Sequence, residues 1–395
     1  MAYKVIDGIP VWGDPILEAV KQIKNCQKDA DRCALMADHH QGYAVPIGGV
    51  TSYEGKISPS GVGYDISCGN KAVRLDIPVA EARKHIKRIM SDIFHTISFG
   101  IGMKNSEQVH HPLFDDDPAW QIKAAAELRQ LARSQLGTVG SGNHFVDVFV
   151  DQNDQVWIGV HFGSRGFGHK LATHFIRAAG GKNGIFVDPV LLDVESSLGK
   201  EYIACMELAG RYAYAGRDWV CNRVAKFLGA KILEAVHNHH NYAWKETHFG
   251  KDVWVTRKGA TPAFPGQRGF IGGSMGDISV IAEGVDSPES REALYSTIHG
   301  AGRTMSRTKA AGKRRWGKKK KKSGSKGEVS QEMMMEWVNR VGVELRGAGR
   351  DESPHCYKRL PKVLHYHKDM IKIIYTLNPI GVAMAGPDIF DPFRD

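Results

Sequence analysis

Five short motifs along the chain carry the side chains that could do chemistry. They occupy residues 61–69, 140–145, 161–166, 239–242 and 299–303. The first pairs Asp65 with Cys68, and each of the others contains at least one histidine. Carboxylate, thiolate and imidazole groups bind divalent metals, and the glycines in four of the motifs let the backbone approach a ligand closely. The set predicts an enzyme site assembled from loops that are far apart in sequence.

The composition predicts a globular protein in a reducing compartment. The chain has 395 residues, 42% of them hydrophobic, which suffices for one large domain or two smaller ones. Its net charge of +10 favours a polyanionic partner, although a basic surface also occurs in proteins that are merely soluble. The six cysteines show neither CxxC spacing nor a secreted disulfide framework. Neither a signal peptide nor a run of about 18 apolar residues is evident, so a cytoplasmic location is expected.

Hydrophobic periodicity predicts the elements that position these motifs. Helices are expected at residues 14–25, 79–93, 119–134, from about 169, and at 201–236, the last broken near Gly210 or Gly216. Strands are expected at residues 43–52, 71–76, 145–150, 156–161, 253–257, 270–271 and 278–282. The strands at 145–150 and 156–161 form a predicted hairpin, with His144 and His161 interpreted as lying at its opposite ends. Other parts of the fold would then have to bring these two histidines together.

Strands and helices alternate without a regular βαβ repeat, which favours an α+β architecture. We expect a single large domain over residues 1–395, with a mixed or antiparallel β core, flanking helices and an active-site cleft built from loops. The lysine-rich segment at about 313–327 is predicted to be a mobile surface loop. The alternative is an RNA-contacting arm in which Trp316 stacks on bases.

Several common catalytic motifs are absent from the sequence. It contains no GxxxxGK[ST] motif, no strand–GxGxxG–helix unit and no HExxH. The Lys-x-Asp-Gly motif, which supplies the lysine nucleophile of common nucleotidyl-transferring ligases, is also missing. If the enzyme forms a covalent nucleotide adduct, another nucleophile must carry the nucleotide.

Taken in order, the motifs resemble those of the RtcB family of RNA ligases, nearly from end to end. The resemblance also includes residues 36–43, 46–50, 253–260, 273–276, 299–307 and 357–358. It implies joining of RNA 2′,3′-cyclic phosphate or 3′-phosphate ends to 5′-hydroxyl ends, using GTP and Mn²⁺ through a histidine–GMP intermediate. The implied substrates are broken RNAs such as tRNA halves, in splicing or repair.

The resemblance also implies roles for individual residues. Cys68 would bridge two metal ions, with His161 and His240 completing one site and Asp65 and His144 the other. The ligand types alone suit Zn²⁺ or Co²⁺ as well as Mn²⁺, so the choice of Mn²⁺ rests on the resemblance. His299 would be the nucleophile that attacks the α-phosphorus of GTP. The implied contacts to GTP come from Asn143, Asp147, Ser274, Ser279, Gly300, Ala301, Gly302 and Tyr357.

Three further side chains are expected to serve RNA. Arg165 and Arg303 would hold phosphate ends, because guanidinium groups pair bidentately with phosphate. Asp38 would orient a 5′-hydroxyl or a water molecule.

The sequence departs from the family pattern at its C-terminal end. The family ends in a Val-Lys-Gly-like tail whose lysine contacts the guanylate, but residues 381–386 here contain no lysine. Either Lys358 or the lysines at 318–322 substitute, or guanylylation is weakened or the choice of nucleotide altered. Asp147 also replaces the usual glutamate. Two other hypotheses stay open: a binuclear metallohydrolase that opens cyclic phosphates without ligation, and a non-catalytic RNA-binding protein.

Overall fold

The computed structural model describes residues 3–182, 184–312 and 326–389. The described residues form eighteen strands: β1 (Tyr3–Ile6), β2 (Ile9–Trp12), β3 (Arg32–His40), β4 (Ile47–Tyr53), β5 (Lys56–Ile57), β6 (Gly69–Pro78), β7 (Phe145–Asp151), β8 (Gln155–Phe162), β9 (Leu192–Asp193), β10 (Ile232–His239), β11 (Asn241–His248), β12 (Lys251–Lys258), β13 (Ala260–Pro262), β14 (Arg268–Ile271), β15 (Ser279–Gly284), β16 (Ser296–Ile298), β17 (Glu344–Arg346) and β18 (Ile371–Met384). They also form twelve α-helices: α1 (Leu17–Cys26), α2 (Pro59–Val62), α3 (Val79–Thr96), α4 (Leu113–Asp116), α5 (Lys123–Ala126), α6 (Arg129–Gln135), α7 (Arg165–Ala178), α8 (Ser197–Phe227), α9 (Pro288–Glu292), α10 (Arg307–Ala311), α11 (Gln331–Val341) and α12 (Leu360–His365). None of these described helices is long and apolar enough to cross a bilayer.

Two large sheets form the body of the protein. One has the strand order β1-β2-β3-β4-β12-β11, and the other β10-β6-β8-β7-β18-β15-β14, with β17 beside β18. The pairs β2–β3 and β17–β18 are parallel and the other neighbours are antiparallel. The two edge strands of the second sheet, β10 and β14, approach each other. The Asn238 side chain in β10 accepts a hydrogen bond from Phe270 N in β14 at 2.9 Å. The nearly closed antiparallel sheet, flanked by helices, confirms the predicted fold class.

Strand β7 shows how the second sheet is packed on both faces. Its valines at 146, 148 and 150 pack with residues of α3 and α8, while Phe145 and Phe149 belong to a second apolar cluster on the opposite face. Since alternate side chains of a strand share a face, Asp147 is carried onto the same side as the two phenylalanines. A carboxyl group is thereby placed among apolar side chains.

The predicted hairpin at 145–161 is confirmed as β7 and β8, but three helix predictions are wrong in extent. Residues 119–134 form a 3-10 turn and two short helices instead of one helix. The tract at 201–236 is helical only as far as Phe227, without a break at Gly210 or Gly216, and continues as strand β10. Helix α7 begins at Arg165, four residues earlier than expected. The lysine-rich segment lies mostly outside the described residues, and the single-domain boundary stays a prediction.

Candidate active site

The site lies where the two sheets meet. His240 connects β10 of one sheet to β11 of the other, and Cys68 immediately precedes β6. The β7–β8 register pairs Phe145 with His161. His144 and His161 therefore lie side by side at the open end of the hairpin, and the prediction that they lie at opposite ends was wrong. Antiparallel pairing itself brings these two histidines together.

The five predicted metal ligands form two groups that share Cys68. Ligand atoms of Cys68, His161 and His240 lie within 4.8 Å of one another, and so do those of Asp65, Cys68 and His144. The Cys68 Sγ atom is 3.2 Å from His161 Nε2 and 3.6 Å from His144 Nε2. The Asp65 carboxylate lies 3.2 Å from His144 Nε2. One sulfur, one carboxylate and three imidazoles thus converge in the arrangement that the resemblance implies.

The electrostatics of the group suit a divalent cation. Burial lowers the pKa of His161 and of His240 well below the ordinary value, so both imidazoles are neutral and keep a lone pair. Burial tends to raise the pKa of Asp65, but the hydrogen bond with His144 brings it down to about 2. Burial, and then the charge of Asp65, raise the pKa of the Cys68 thiol well above its usual value. A bound cation reverses that last shift, because a coordinating thiol is deprotonated.

The backbone holds the ligands in place. His240 N donates to Cys68 O at 2.9 Å, and Ser67 N donates to Asn241 O at 2.7 Å. His144 Nδ1 lies 2.9 Å from Val139 O, and this contact orients the ring so that Nε2 faces Asp65 and Cys68. Ligand positions are therefore set by the fold.

His299 lies beside this cluster and is held by a carboxylate. Its ring centroid is 4.8 Å from that of His240. Asp38 Oδ2 lies 2.6 Å from His299 Nδ1 and also accepts hydrogen bonds from His299 N at 2.9 Å and Gly300 N at 3.3 Å. Burial tends to raise the pKa of Asp38, but His299 lowers it overall, so the carboxylate is ionised. An Nδ1–H directed at this carboxylate leaves His299 Nε2 with a free lone pair.

The expected role of Asp38 in contacting RNA is corrected by this arrangement. The Asp38 side chain is fully buried, and one of its oxygens already accepts three hydrogen bonds. A carboxylate without solvent exposure does not reach a macromolecular substrate. Asp38 instead orients the imidazole of His299.

A cavity of about 250 Å³ opens beside the histidines. Seven of the eight predicted GTP contacts line it: Asn143, Asp147, Ser274, Gly300, Ala301, Gly302 and Tyr357. Ser279 is not among the lining residues, since its hydroxyl accepts a hydrogen bond from Gly273 N at 2.9 Å and supports the 273–277 turn. The sequence prediction of a direct Ser279 contact to the ligand is therefore revised.

Asp147 is the polar group in an otherwise apolar part of the cavity wall. Phe145, Met275, Val382 and Met384 line the wall together with it. Within the described part of the chain its Oδ1 atom has no hydrogen-bond partner. Burial raises the pKa of Asp147 well above the usual value. Buried polar atoms in proteins normally have a hydrogen-bond partner, and Asp147 Oδ1 therefore needs one.

The opposite rim consists of a hydrogen-bonded set around Arg303. This residue donates to Tyr357 Oη at 2.8 Å and to Glu352 Oε2 at 3.2 Å, and its guanidinium carbon lies 4.9 Å from the centre of the Tyr357 ring. One face of Tyr357 is thus already covered by Arg303. Both residues line the cavity, as does Glu352, which the sequence analysis did not select.

The other two expected cationic contacts lie away from the cavity wall. Arg165 is placed behind His144, with its Nη1 atom 3.2 Å from His144 Nδ1, where the absence of a side chain at Gly140 makes room for the guanidinium. Lys358 donates to Ala37 O at 2.9 Å and His39 O at 3.0 Å. Lys358 therefore does not substitute for a tail lysine, and residues 318–322 lie outside the described residues.

Sequence reasoning also missed Arg217, which lies beneath the ligands. Its side chain is fully buried and donates to Ser67 O at 3.1 Å and to Phe162 O. It donates to His237 Nε2 at 2.7 Å and lies 3.0 Å from His239 Nδ1. The carbonyls belong to the neighbours of Cys68 and His161, so Arg217 supports both ligands. The available signal was the position of Arg217 at helical spacing from Ala213, Val220 and Cys221, which form an apolar helix face.

The fold and site together define a loop-built centre with two groups of metal-ligating side chains beside a carboxylate-oriented histidine. A family model described as tRNA-splicing ligase RtcB matches residues 19–385. The chain is 32% identical to the RNA-splicing ligase RtcB of Escherichia coli strain K12 and 31% identical to RNA-splicing ligase RtcB1 of E. coli strain ATCC 25922, with 94% of each chain covered. It is 30% identical to the tRNA-splicing ligase RtcB of Thermococcus kodakarensis, over 94% of this chain and 93% of that protein. The chain belongs to the RtcB family.

Proposed function

We propose that this protein is a GTP- and Mn²⁺-dependent RNA ligase that joins 2′,3′-cyclic phosphate or 3′-phosphate ends to 5′-hydroxyl ends through a His299–GMP intermediate. The observation that carries the proposal is the position of His299, held by Asp38 and 4.8 Å from the ring of His240 in the shared-cysteine cluster. Membership of a family whose curated members are named as RNA-splicing ligases supports the same activity.

The residues present fit two divalent cations, one held by Cys68, His161 and His240, the other by Asp65, Cys68 and His144. When bound, such ions would neutralise phosphate charge and orient the reacting groups. Mn²⁺ is proposed from family membership, since a thiolate with imidazoles also suits Zn²⁺ and Co²⁺.

In the proposed sequence, the lone pair of His299 Nε2 forms a bond to the α-phosphorus of GTP, and the bond to pyrophosphate breaks. Asp38 stabilises the positive charge that develops on the ring. Water first opens a 2′,3′-cyclic phosphate to a 3′-phosphate. A 3′-phosphate oxygen of the RNA then bonds to the GMP phosphorus as the bond between that phosphorus and His299 Nε2 breaks. The 5′-hydroxyl of the second RNA then attacks the activated phosphate and GMP leaves. Asp147 would accept hydrogen bonds from the guanine N1–H and 2-amino groups; the absence of a partner for its Oδ1 atom among the described residues supports this role.

The test is incubation with GTP labelled at the α-phosphate and Mn²⁺, followed by separation of protein from free nucleotide. We expect an acid-labile, base-stable adduct on the parent protein, no adduct on His299→Ala, and loss of metal and adduct together on Cys68→Ser. His365→Ala, which removes an exposed histidine, is the matched control and should label normally. Labelling of His299→Ala at the parent rate would refute the proposed nucleophile.

A second candidate function, opening of cyclic phosphates without ligation, is favoured by one observation. Among the described residues that line the cavity, Arg303 is the only lysine or arginine, and it is already paired with Glu352. RNA with a 2′,3′-cyclic phosphate, mixed with 5′-hydroxyl RNA at saturating GTP, distinguishes the two. Joined product supports the ligase, whereas a 3′-phosphate product without joining supports the hydrolase.

A further inference from the structure

The outer face of helix α7 carries a group of residues that the proposed chemistry does not use. His169, Thr173 and Arg177 follow one another at four-residue spacing, with Lys170 and His174 beside them, and all five line an open depression. Lys170, His174 and Arg177 are exposed. Residues 169–182 contain three lysines and arginines and no aspartate or glutamate. A surface with this charge fits a polyanion.

Aromatic rings connect this face to the metal-ligating cluster. The Tyr64 ring stacks on His169 with centroids 5.3 Å apart and planes inclined by 29°. Tyr43 approaches Tyr64 edge-on at 6.1 Å, and its side chain is 45% exposed. Tyr64 directly precedes Asp65, a member of the cluster. A row of three rings therefore lies beside the basic face of α7, and its middle ring belongs to the residue next to Asp65 in the chain.

Stacking rings beside cationic side chains form the combination that binds single-stranded nucleic acid, because bases stack on the rings while the cations contact phosphates. A duplex keeps its bases stacked internally, so it makes little use of exposed rings. A purely electrostatic partner, such as an anionic membrane, would need only the basic residues. Because Tyr64 is adjacent to Asp65 of the cluster, an RNA strand stacked on these rings would have its end close to the cluster.

We propose that the α7 surface, defined by Tyr43, Tyr64, His169, Lys170 and Arg177, binds the single-stranded RNA segment adjoining the end that is held at the metal-ligating cluster. This inference rests on the proposed function for the identity of that end. The segment's bases stack on the exposed part of Tyr43 and along the Tyr64–His169 pair. Lys170 and Arg177 contact its phosphates. A ligase with this surface selects ends that carry an unpaired overhang over blunt duplex ends.

The test measures binding of a 5′-labelled single-stranded RNA by fluorescence anisotropy, with the same sequence as a blunt duplex for comparison. We expect Lys170→Glu/Arg177→Glu to weaken single-strand binding at least tenfold. The double variant should also reduce the slope of log affinity against log salt by about 1.4, since each phosphate contact on a single strand contributes roughly 0.7. Tyr43→Ala should weaken single-strand binding by about tenfold while changing duplex binding little.

The matched control is Lys84→Glu/Arg88→Glu, which makes the same charge change on the exposed face of α3. If this control weakens RNA binding as much as the α7 variant, net charge rather than the α7 surface is responsible and the inference fails. The inference also fails if the α7 variant binds RNA as tightly as the parent protein does. It fails likewise if the variant loses binding to anionic phospholipid vesicles while its RNA binding is unchanged. Guanylylation of the parent protein is measured separately. If no adduct forms, the proposed function fails, but weaker binding of single-stranded RNA by the α7 variant still establishes the RNA surface.

Discussion

Replacing Asp38 with asparagine tests whether the carboxylate activates His299. The substitution removes one negative charge while keeping nearly the same shape. When Nε2 attacks phosphorus the ring becomes cationic, and the Asp38 oxygen lies 2.6 Å from Nδ1. With a charge separation of ~4 Å and an effective dielectric constant of ~20, the lost attraction is about 4 kcal/mol. That energy corresponds to a roughly 10³-fold slower guanylylation step.

The assay is single-turnover labelling with GTP at saturating metal, together with metal content and thermal unfolding. Metal content should stay unchanged, because Asp38 belongs to neither ligand group. Unfolding should be easier by about 1–3 kcal/mol, because the amide NH₂ must occupy the Oδ1 position, where the described residues offer no partner. Asp151→Asn changes a buried carboxylate at the far end of β7 and is the control for stability alone. A less than tenfold effect of Asp38→Asn on labelling would refute the reasoning.

Two further predictions concern buried polar groups around the site. Arg217→Met should lower the free energy of unfolding by about 2–6 kcal/mol, since it removes charge-assisted hydrogen bonds to two buried carbonyls. It should also weaken metal binding about 10–100-fold. Arg223→Met, which breaks an ion pair on the same helix, should do neither, and equal effects of the two variants would contradict the proposed role of Arg217. Asp147→Asn should weaken GTP binding at least tenfold relative to ATP in a competition assay, and an equal loss for both nucleotides would show that Asp147 does not read the base.

Local sequence patterns predicted correctly those helices and strands whose tertiary packing agrees with the secondary-structure propensity of their residues. The β7–β8 hairpin has β-branched and aromatic residues at alternating positions, and the structure confirms it. Residues 119–134 are rich in helix formers, yet Trp120 is buried in the core and Ile122 takes an extended conformation, so tertiary packing overrides propensity. The end of α8 was marked by Gly229, which has a positive φ of 67°.

The glycines inside α8 were misinterpreted for a similar reason. A break was expected near Gly210 or Gly216, but both glycines are buried within the helix. A Cβ atom at Gly210 would lie 3.2 Å from the Tyr242 ring, and one at Gly216 would lie 3.3 Å from the Phe162 ring. These glycines allow close approach of the sheets to α8. From sequence alone, a glycine that breaks a helix cannot be distinguished from one that lets the helix pack closely against a neighbouring side chain.

The types of the site residues were accessible from sequence, but their distances were not. Cys68 and His240 are 172 positions apart, and a sheet register brings them together: β6 pairs with β10, so that Gly69 lies opposite His239. The role of Asp38 was also hidden, because its partner His299 lies 261 positions away. No local pattern encodes such a pairing, and the resemblance implied roles for the site residues without the distances between them.

The geometry of the metal-ligating cluster depends on backbone pairing between residues adjacent to the ligands, such as Gly69 and His239, as well as on the ligands themselves. Gly69 shows the requirement, because a Cβ atom there would lie 2.1 Å from Asn238 O, and β6 and β10 could not approach as they do. That approach lets His240 N reach Cys68 O. These backbone contacts and the Arg217 hydrogen bonds join protein groups to one another, so folding itself arranges the ligands and carries the entropic cost of ordering them. A donor set built this way would hold a cation with side chains that the fold has already positioned.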